Sequence, residues 1–311
     1  MKRIVSSSWL HVTCAIAIAF GLTVLASAST SYQGQFQRDL QVSGTVDLEV
    51  LTHSGDITIH SGPAGKVSIQ GRIHVNDHWR NDSGKENEVH QLEQNPPIRQ
   101  SGNSIHIEYA DVHDISIDYE ITVPADTSVR TNSGSGDQNV EGLHSNLNLE
   151  SGSGDMRLHG LKGDVHAHTG SGNVEARDVT GTFNADAGSG DIRLEASAAN
   201  DVRVHTGSGN IEARGVQGAL HVEAGSGDIT IDGVPSQAWE VRTGSGNVRL
   251  RLPGEAGFNL EASTGSGELV LNHPVTIQGK VGSERHTISG PVHGGGPLLM
   301  VRTGSGDVEI D

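Results

Sequence analysis

The chain has 311 residues, with 38 Asp and Glu against 21 Lys and Arg, 42 glycines and only 3% aromatic side chains. A formal charge of −17 repels nucleic acid and anionic lipid headgroups, so neither is expected as a partner. Glycine abundance with so few aromatics argues against a thick globular core and for thin layers lined by Val, Ile, Leu and Ala.

Residues 1–28 read as a secretory signal peptide: Lys2 and Arg3, an apolar run from Cys14 to Leu25, then Ala26-Ser27-Ala28 as a small-residue cleavage site. The run is short for a membrane span, so the expectation is cleavage and export to the periplasm or surface of a bacterium, with an uncleaved anchor as the alternative. Cleavage removes Cys14, the only cysteine, and with it any disulfide or thiolate metal site. No second long apolar run follows, so no integral membrane span is expected after cleavage.

Residues 29–130 form an irregular β-rich cap with the first coils of a repeat. Strands are expected at Val46–Val50, Asp56–Ile59, Val67–Ile69, Arg72–Val75, Ser104–Glu108 and Ile115–Val123, where apolar and polar residues alternate. Ser54-Gly-Asp56 is a shortened form of a turn phrase that returns later. A polar insertion near 76–103 contains Pro96-Pro97 and a short helix within Ser83–Glu93. A separate β-sandwich is the alternative for this half.

From 131 to 311 the phrase Gly-Ser-Gly-Asp or Gly-Ser-Gly-Asn recurs every 18 to 19 residues, starting at Gly134, Gly152, Gly170, Gly188, Gly207, Gly225 and Gly244. A Glu version starts at Gly265 and a last Asp version at Gly304, so one coil between them is expected to have lost its signature. A fixed period with strand-like alternation between turns predicts an all-β, single-stranded parallel β-solenoid (a β-helix) with two short strands per coil. After each turn the inward residues run Met156/Leu158, Val174/Ala176, Ile192/Leu194, Ile211/Ala213, Ile229/Ile231 and Val248/Leu250. On the return strand they run Val165/Ala167, Phe183/Ala185, Val202/Val204, Leu220/Val222, Trp239/Val241 and Phe258/Leu260.

Outward columns alternate in sign: Arg157, Glu175, Arg193, Glu212, Thr230, Arg249; His159, Arg177, Glu195, Arg214, Asp232, Arg251; and, on the return strand, His168, Asp186, His205, Glu223, Arg242, Glu261. Only stacked in-register coils make sense of this pattern, because opposite charges help at adjacent-strand spacing and like charges cost. The structural turns are Gly136-Asp137, Gly154-Asp155, Gly172-Asn173, Gly190-Asp191, Gly209-Asn210, Gly227-Asp228 and Gly246-Asn247. Interleaving Asn with Asp halves the charge of the column and offers an amide to the neighbouring carboxylate. The last strand, Asp307-Val-Glu-Ile-Asp311, ends without a cap and is expected to leave an exposed edge. Such an edge invites self-association through the terminal coil, opposed by its three acids.

The repeated Gly, Asp, His and Thr positions bear on four chemistries. Calcium stacked between coils would need the Gly-Gly-x-Gly-x-Asp spacing, whereas here Asp follows Gly directly and alternates with Asn. His166 and His168 lie outward on one strand and His205 two coils away behind Asp186, about 9–10 Å across two rungs and too far to share zinc. Carboxylates and bases are distributed rather than convergent, and Thr-Gly-Ser-Gly-Asn is a strand-to-strand turn rather than a nucleophile elbow. The Thr169, Ala187, Thr206, Ala224, Thr243 column is no flat threonine array for ice. No catalytic, cofactor or metal residue is therefore assigned, and no cofactor is expected.

With Val123-Pro-Ala-Asp-Thr-Ser-Val-Arg-Thr-Asn-Ser-Gly-Ser-Gly-Asp137 leading into these coils, the chain resembles the bacterial putative-adhesin β-strand repeat family, also called the Toastrack domain of unknown function, over roughly residues 40–311. The resemblance implies a single-stranded β-helix linked to surface adhesion and envelope-stress systems, where members often stand beside membrane modules. This chain departs from that pattern in its cleavable leader and its lack of a membrane module, which argues against direct signalling. The expectation is an exported, non-enzymatic envelope protein, an adhesin or scaffold that binds a protein or glycan. A glycan-acting β-helix enzyme and a calcium-stabilised scaffold are the alternatives.

Overall fold

The computed structural model describes residues 32–75, 83–110, 112–273 and 286–311. The expected leader at 1–28 and part of the expected insertion at 76–103 lie outside the described residues. Strand formation follows the period-two pattern of the sequence. Leu147–Ser153 buries Leu147, Leu149 and Ser151 and turns Asn148 and Glu150 outward; Met156–His159 buries Met156 and Leu158. These two strands, joined by a Gly-Ser-Gly-Asp turn, make one coil. The strand before the turn contributes to a first face of the stack, and the strand after it to a second face.

Successive coils pair in parallel. Leu147 stands beside Val129 on one side and Val165 on the other, and Met156 stands beside Gln138 and Val174. Every inward residue expected from the repeat is buried, from Met156 to Leu250 on the second face and from Val165 to Leu260 on the first. The Thr column before the turn is inward too, with Thr169 and Thr206 fully buried. A third set of apolar residues, between the end of one strand pair and the start of the next, fills the remaining corner: Leu143, Leu161, Val179 and Val216 are all buried. Each coil alone would expose its apolar strip, and only stacking hides it. Trp239, wholly buried, satisfies its indole N–H by donating to the Gly218 carbonyl at 2.9 Å.

The ends depart from the expected single-file order. The coil at 47–62 sits between the coil at 104–124 and the coil at 128–141: Leu48 pairs with Ile105 and with Val129, and Ile57 with Tyr119 and with Gln138. At the other end the coil at 298–310 sits between those at 239–251 and 258–271. Leu299 pairs with Trp239 and with Leu260, and Val308 with Val248 and with Leu269. The expected exposed last strand is therefore corrected, because Val308–Ile310 has a parallel neighbour on both sides.

Two further expectations change for the same reason. The described part of the stretch between the Gly265 and Gly304 turns holds no stacked coil: Thr287–Val292 runs antiparallel to Phe258–Ser266, along the side that Leu298–Ser305 leaves open. Residues expected to be neighbours across the 239–251 and 258–271 coils are separated by the inserted one. Arg242 stands beside Arg302, and Glu261 beside Met300 rather than in the Arg242 column. In the turn-aligned register Leu260 and Ala262, not Phe258 and Leu260, continue the Trp239 and Val241 columns.

The architecture is all-β and solenoid-like, but its sheet is mixed rather than wholly parallel. Antiparallel pairs close the low-numbered end: Tyr32–Gln41 against Lys66–Val75, that strand against Ile115–Pro124, and Ile98–Ser101 against Ser104–Ile107. The expected helix forms at Ser83–Gln94 and ends at Asn95-Pro96-Pro97, where proline cannot continue it. Its Val89 and Leu92 are buried, and Gly34 makes room for it, since a Cβ there would lie 2.4 Å from a Val89 methyl. Glu93 accepts the N–H of Gln35 at 2.9 Å, which holds its carboxyl below the usual carboxylate range. Among the described residues no helix is long and apolar enough to cross a membrane.

Candidate functional site

The expected turn residues all lie along one corner of the stack, where the glycines are required by space and conformation. Gly190 has φ 152°, and a Cβ there would lie 1.9 Å from the Gly172 carbonyl oxygen. The residue after each second glycine has a task that the sequence reading missed. Its side-chain oxygen accepts the backbone N–H of the corresponding residue in the next coil. Asp137 accepts from Asp155 at 3.0 Å, Asp155 from Asn173 at 2.8 Å, and Asn173 from Asp191 at 2.9 Å. Asp191, Asn210 and Asp228 continue the ladder to Asn210, Asp228 and Asn247 at 2.7–3.0 Å.

One acceptor oxygen per rung is used, so Asn serves as well as Asp. The expected amide-to-carboxylate contact is also present, from Asn173 Nδ2 to Asp155 Oδ1 at 3.1 Å. The ladder follows spatial order through both displaced coils. Asp118 accepts from Asp56, Asp56 from Asp137, Asn247 from Asp307, and Asp307 from Glu268. Partial burial works to raise the Asp137 carboxyl, but hydrogen bonds from Arg157 and the Asp155 N–H outweigh it and hold the group below its ordinary value.

The outward side chains of the second face pair with one another. Arg157 meets Asp137 at 2.8 Å, Arg193 meets Glu212 at 3.5 Å, and Arg249 donates to Glu309 at 2.7 Å. Arg177 pairs with Glu175 and Arg214 with Glu212 along their own strands. Exposed pairs of this kind contribute ~0.2–1 kcal/mol each, so their main effect is on register rather than on total stability.

The first face differs near its low-numbered end. His106 Nδ1 lies 2.9 Å from Glu49, and the same outward column continues through Arg130, Asn148 and His166. A second row, including Asp47, Ser128, Asn146 and Asp164, flanks it, and the two enclose a cleft of about 420 Å³. Beside the cleft, the ring of Tyr109 stacks on His53 with centroids 4.4 Å apart, and its hydroxyl lies 3.5 Å from Asn132. Tyr109 and His53 were not singled out from sequence, since they meet only because coil 104–124 stacks on coil 47–62. An aromatic just after a strand in so aromatic-poor a chain was the available signal.

His168 and His205 flank Asp186 on successive rungs, and His166 lies 3.2 Å from the Asn184 amide, so the three expected histidines stay apart. Among the described residues no cluster of His, Cys, Asp or Glu is arranged to hold a metal ion.

The profile of the Toastrack DUF4097 family matches residues 37–180 and 120–311. No curated protein matches the chain. Among solved structures it is similar to a putative lipid binding protein from Parabacteroides distasonis, at 12% identity over 88% of this chain and 96% of that one, with a TM-score of 0.47. It is also similar to a putative adhesin from Bacteroides fragilis, at 14% identity over 90% and 98% of the two chains, with a TM-score of 0.39.

Proposed function

The chain belongs to the Toastrack DUF4097 family, and from that membership we propose that it is an exported, non-enzymatic protein of the bacterial envelope or surface. In this reading it is a single-stranded β-solenoid that binds an envelope or extracellular protein or glycan in the manner of an adhesin. The observation that carries the reading is the disposition of its charged side chains. On the second face carboxylates and bases neutralise each other rung by rung, and the turn carboxylates are occupied by backbone N–H groups. Groups spent in this way hold the coils in register and leave long polar faces on display. Hydrolysis of a glycan would instead need a pair of carboxylates free to act on one bond, whereas on the first face Glu49 is engaged by His106 at 2.9 Å.

Export is supported by the basic, apolar and small-residue segments of residues 1–28. The test is to incubate the purified protein with peptidoglycan and exopolysaccharide and follow both sedimentation and released fragments. Co-sedimentation without soluble products is expected. Turnover abolished by one carboxylate substitution would overturn the non-enzymatic reading.

A further inference from the structure

We propose that the cleft on the first face, with the neighbouring Tyr109 ring, is a binding site for an extended, uncharged glycan. This rests on the binding reading above and adds a place and a ligand class to it. The argument starts from how the polar groups of the cleft are employed. Glu49 is held by His106, Ser128 shares a hydrogen bond with Ser145 at 3.0 Å and Asn148 donates to Glu150 at 3.3 Å. Arg130, however, has no ion-pair partner among the described residues, and Asn146 with the Asn148 side-chain carbonyl adds neutral polar groups to the lining of the same space. On the second face, by contrast, arginines and glutamates neutralise each other.

The charge of the cleft selects against a polyanion. Asp47, Glu49 and Asp164 line it against Arg130 alone, in a chain of net charge −17. Its surroundings select against a protein partner, because the exposed large hydrophobic residues among those described are the scattered Tyr109, Val234, Val270 and Leu298. A polyhydroxylated chain fits both conditions.

Geometry favours an extended ligand. The cleft crosses five adjacent coils, whose strands are about 4.8 Å apart, so a polymer laid along the stack meets a similar row of donors and acceptors at each rung. Tyr109, 40% exposed, is held by its stack on His53, and Asn132 beneath its hydroxyl lies two residues past Arg130 on the same outward face. A ring fixed in this way offers an apolar surface for the C–H face of a sugar beside polar groups for its hydroxyls, at small entropic cost.

The test is titration calorimetry of the purified protein with neutral six-sugar oligosaccharides of β-1,4-linked glucose, β-1,4-linked N-acetylglucosamine and α-1,6-linked mannose, with heparin as a polyanion. At least one neutral oligosaccharide is expected to bind. Tyr109→Ala and Asn148→Ala should each weaken binding about tenfold, while Tyr109→Phe keeps the ring and most of the affinity, and Thr230→Ala on the second face changes nothing. Matching melting temperatures for all variants guard against misfolding. No binding to any neutral oligosaccharide, equal loss in Thr230→Ala, or preference for heparin would overturn the proposal. If the protein still co-sediments with envelope material without cleaving it, the site alone is wrong; if it releases fragments, the binding reading itself falls.

Discussion

The middle of the stack and its two ends are built from the same coil but connected differently. In the middle, each ladder bond joins residues 18 or 19 apart, as from Asp155 to Asp137 and from Asn210 to Asp191. At the ends the same bond spans 62 and 81 residues on one side, and 60 and 39 on the other. The hydrogen-bond geometry hardly changes. Register is therefore set by what one coil presents to another, and chain continuity is only the usual means of delivery. Closing a loop of 81 residues instead of 18 costs only ~1 kcal/mol more, because closure entropy grows with the logarithm of length. Covering a coil on a second side recovers more than that by burying its apolar strip and pairing its strands.

The most severe way to break the middle is Ile192→Asp, which places an unpaired carboxylate in a fully buried column. A loss of more than ~4 kcal/mol, seen as a collapsed thermal melt, is expected; an unchanged melt would refute the inward assignment. The comparison itself is sharpened by Ile231→Ala in the middle and Ile310→Ala in the displaced coil, both fully enclosed. Each should cost ~2–5 kcal/mol in denaturant titrations. A negligible cost at Ile310 alone would mean that coil 298–310 is not held between two neighbours.

Smaller effects probe the ladder. Asn210→Ala and Asp307→Ala each remove one acceptor of a neighbouring N–H and should cost ~1 kcal/mol. Glu268→Ala should be nearly silent in the same melts, because Glu268 only donates its N–H to the ladder. A large loss there would show that a further rung depends on it. The smallest effect concerns pH. The Asp137 carboxyl is depressed in the folded protein, so it adds stability above the ordinary carboxylate pKa of ~4, and that contribution is lost as pH falls through the lowered folded value. Arg157→Leu removes the strongest group holding it down. The Asp137 titration followed by NMR should move upward, with a shallower loss of stability on acidification; an unmoved titration would break this account.

The repeated turn phrase and the inward columns made the coil legible in the sequence, because period and burial are both local properties. The charge columns also gave the correct register wherever neighbouring coils are consecutive, as from Arg157 through Glu175 and Arg193 to Glu212. What stayed hidden was the order of coils at the ends, since a pairing between residues 48 and 129 or between 239 and 299 leaves no period to detect. The Glu in the Gly265 turn was a clue: among the described residues no further ladder N–H reaches Glu268, so a short Asx side chain is not needed there. The cleft beside Tyr109 was illegible for the same reason, because its low-numbered end, with Asp47, Glu49 and His106, comes from coils stacked out of chain order.

The displaced coil at 298–310 also separates position in the chain from position in the stack. A solenoid whose coils follow in file can grow rung by rung as its chain emerges. Here coil 258–271 precedes in the chain the coil that joins it to coil 239–251, so its parallel pairing with the stack runs through residues 298–310. Coil 298–310 therefore carries two interfaces at once, and a substitution that loosens it loosens both neighbours.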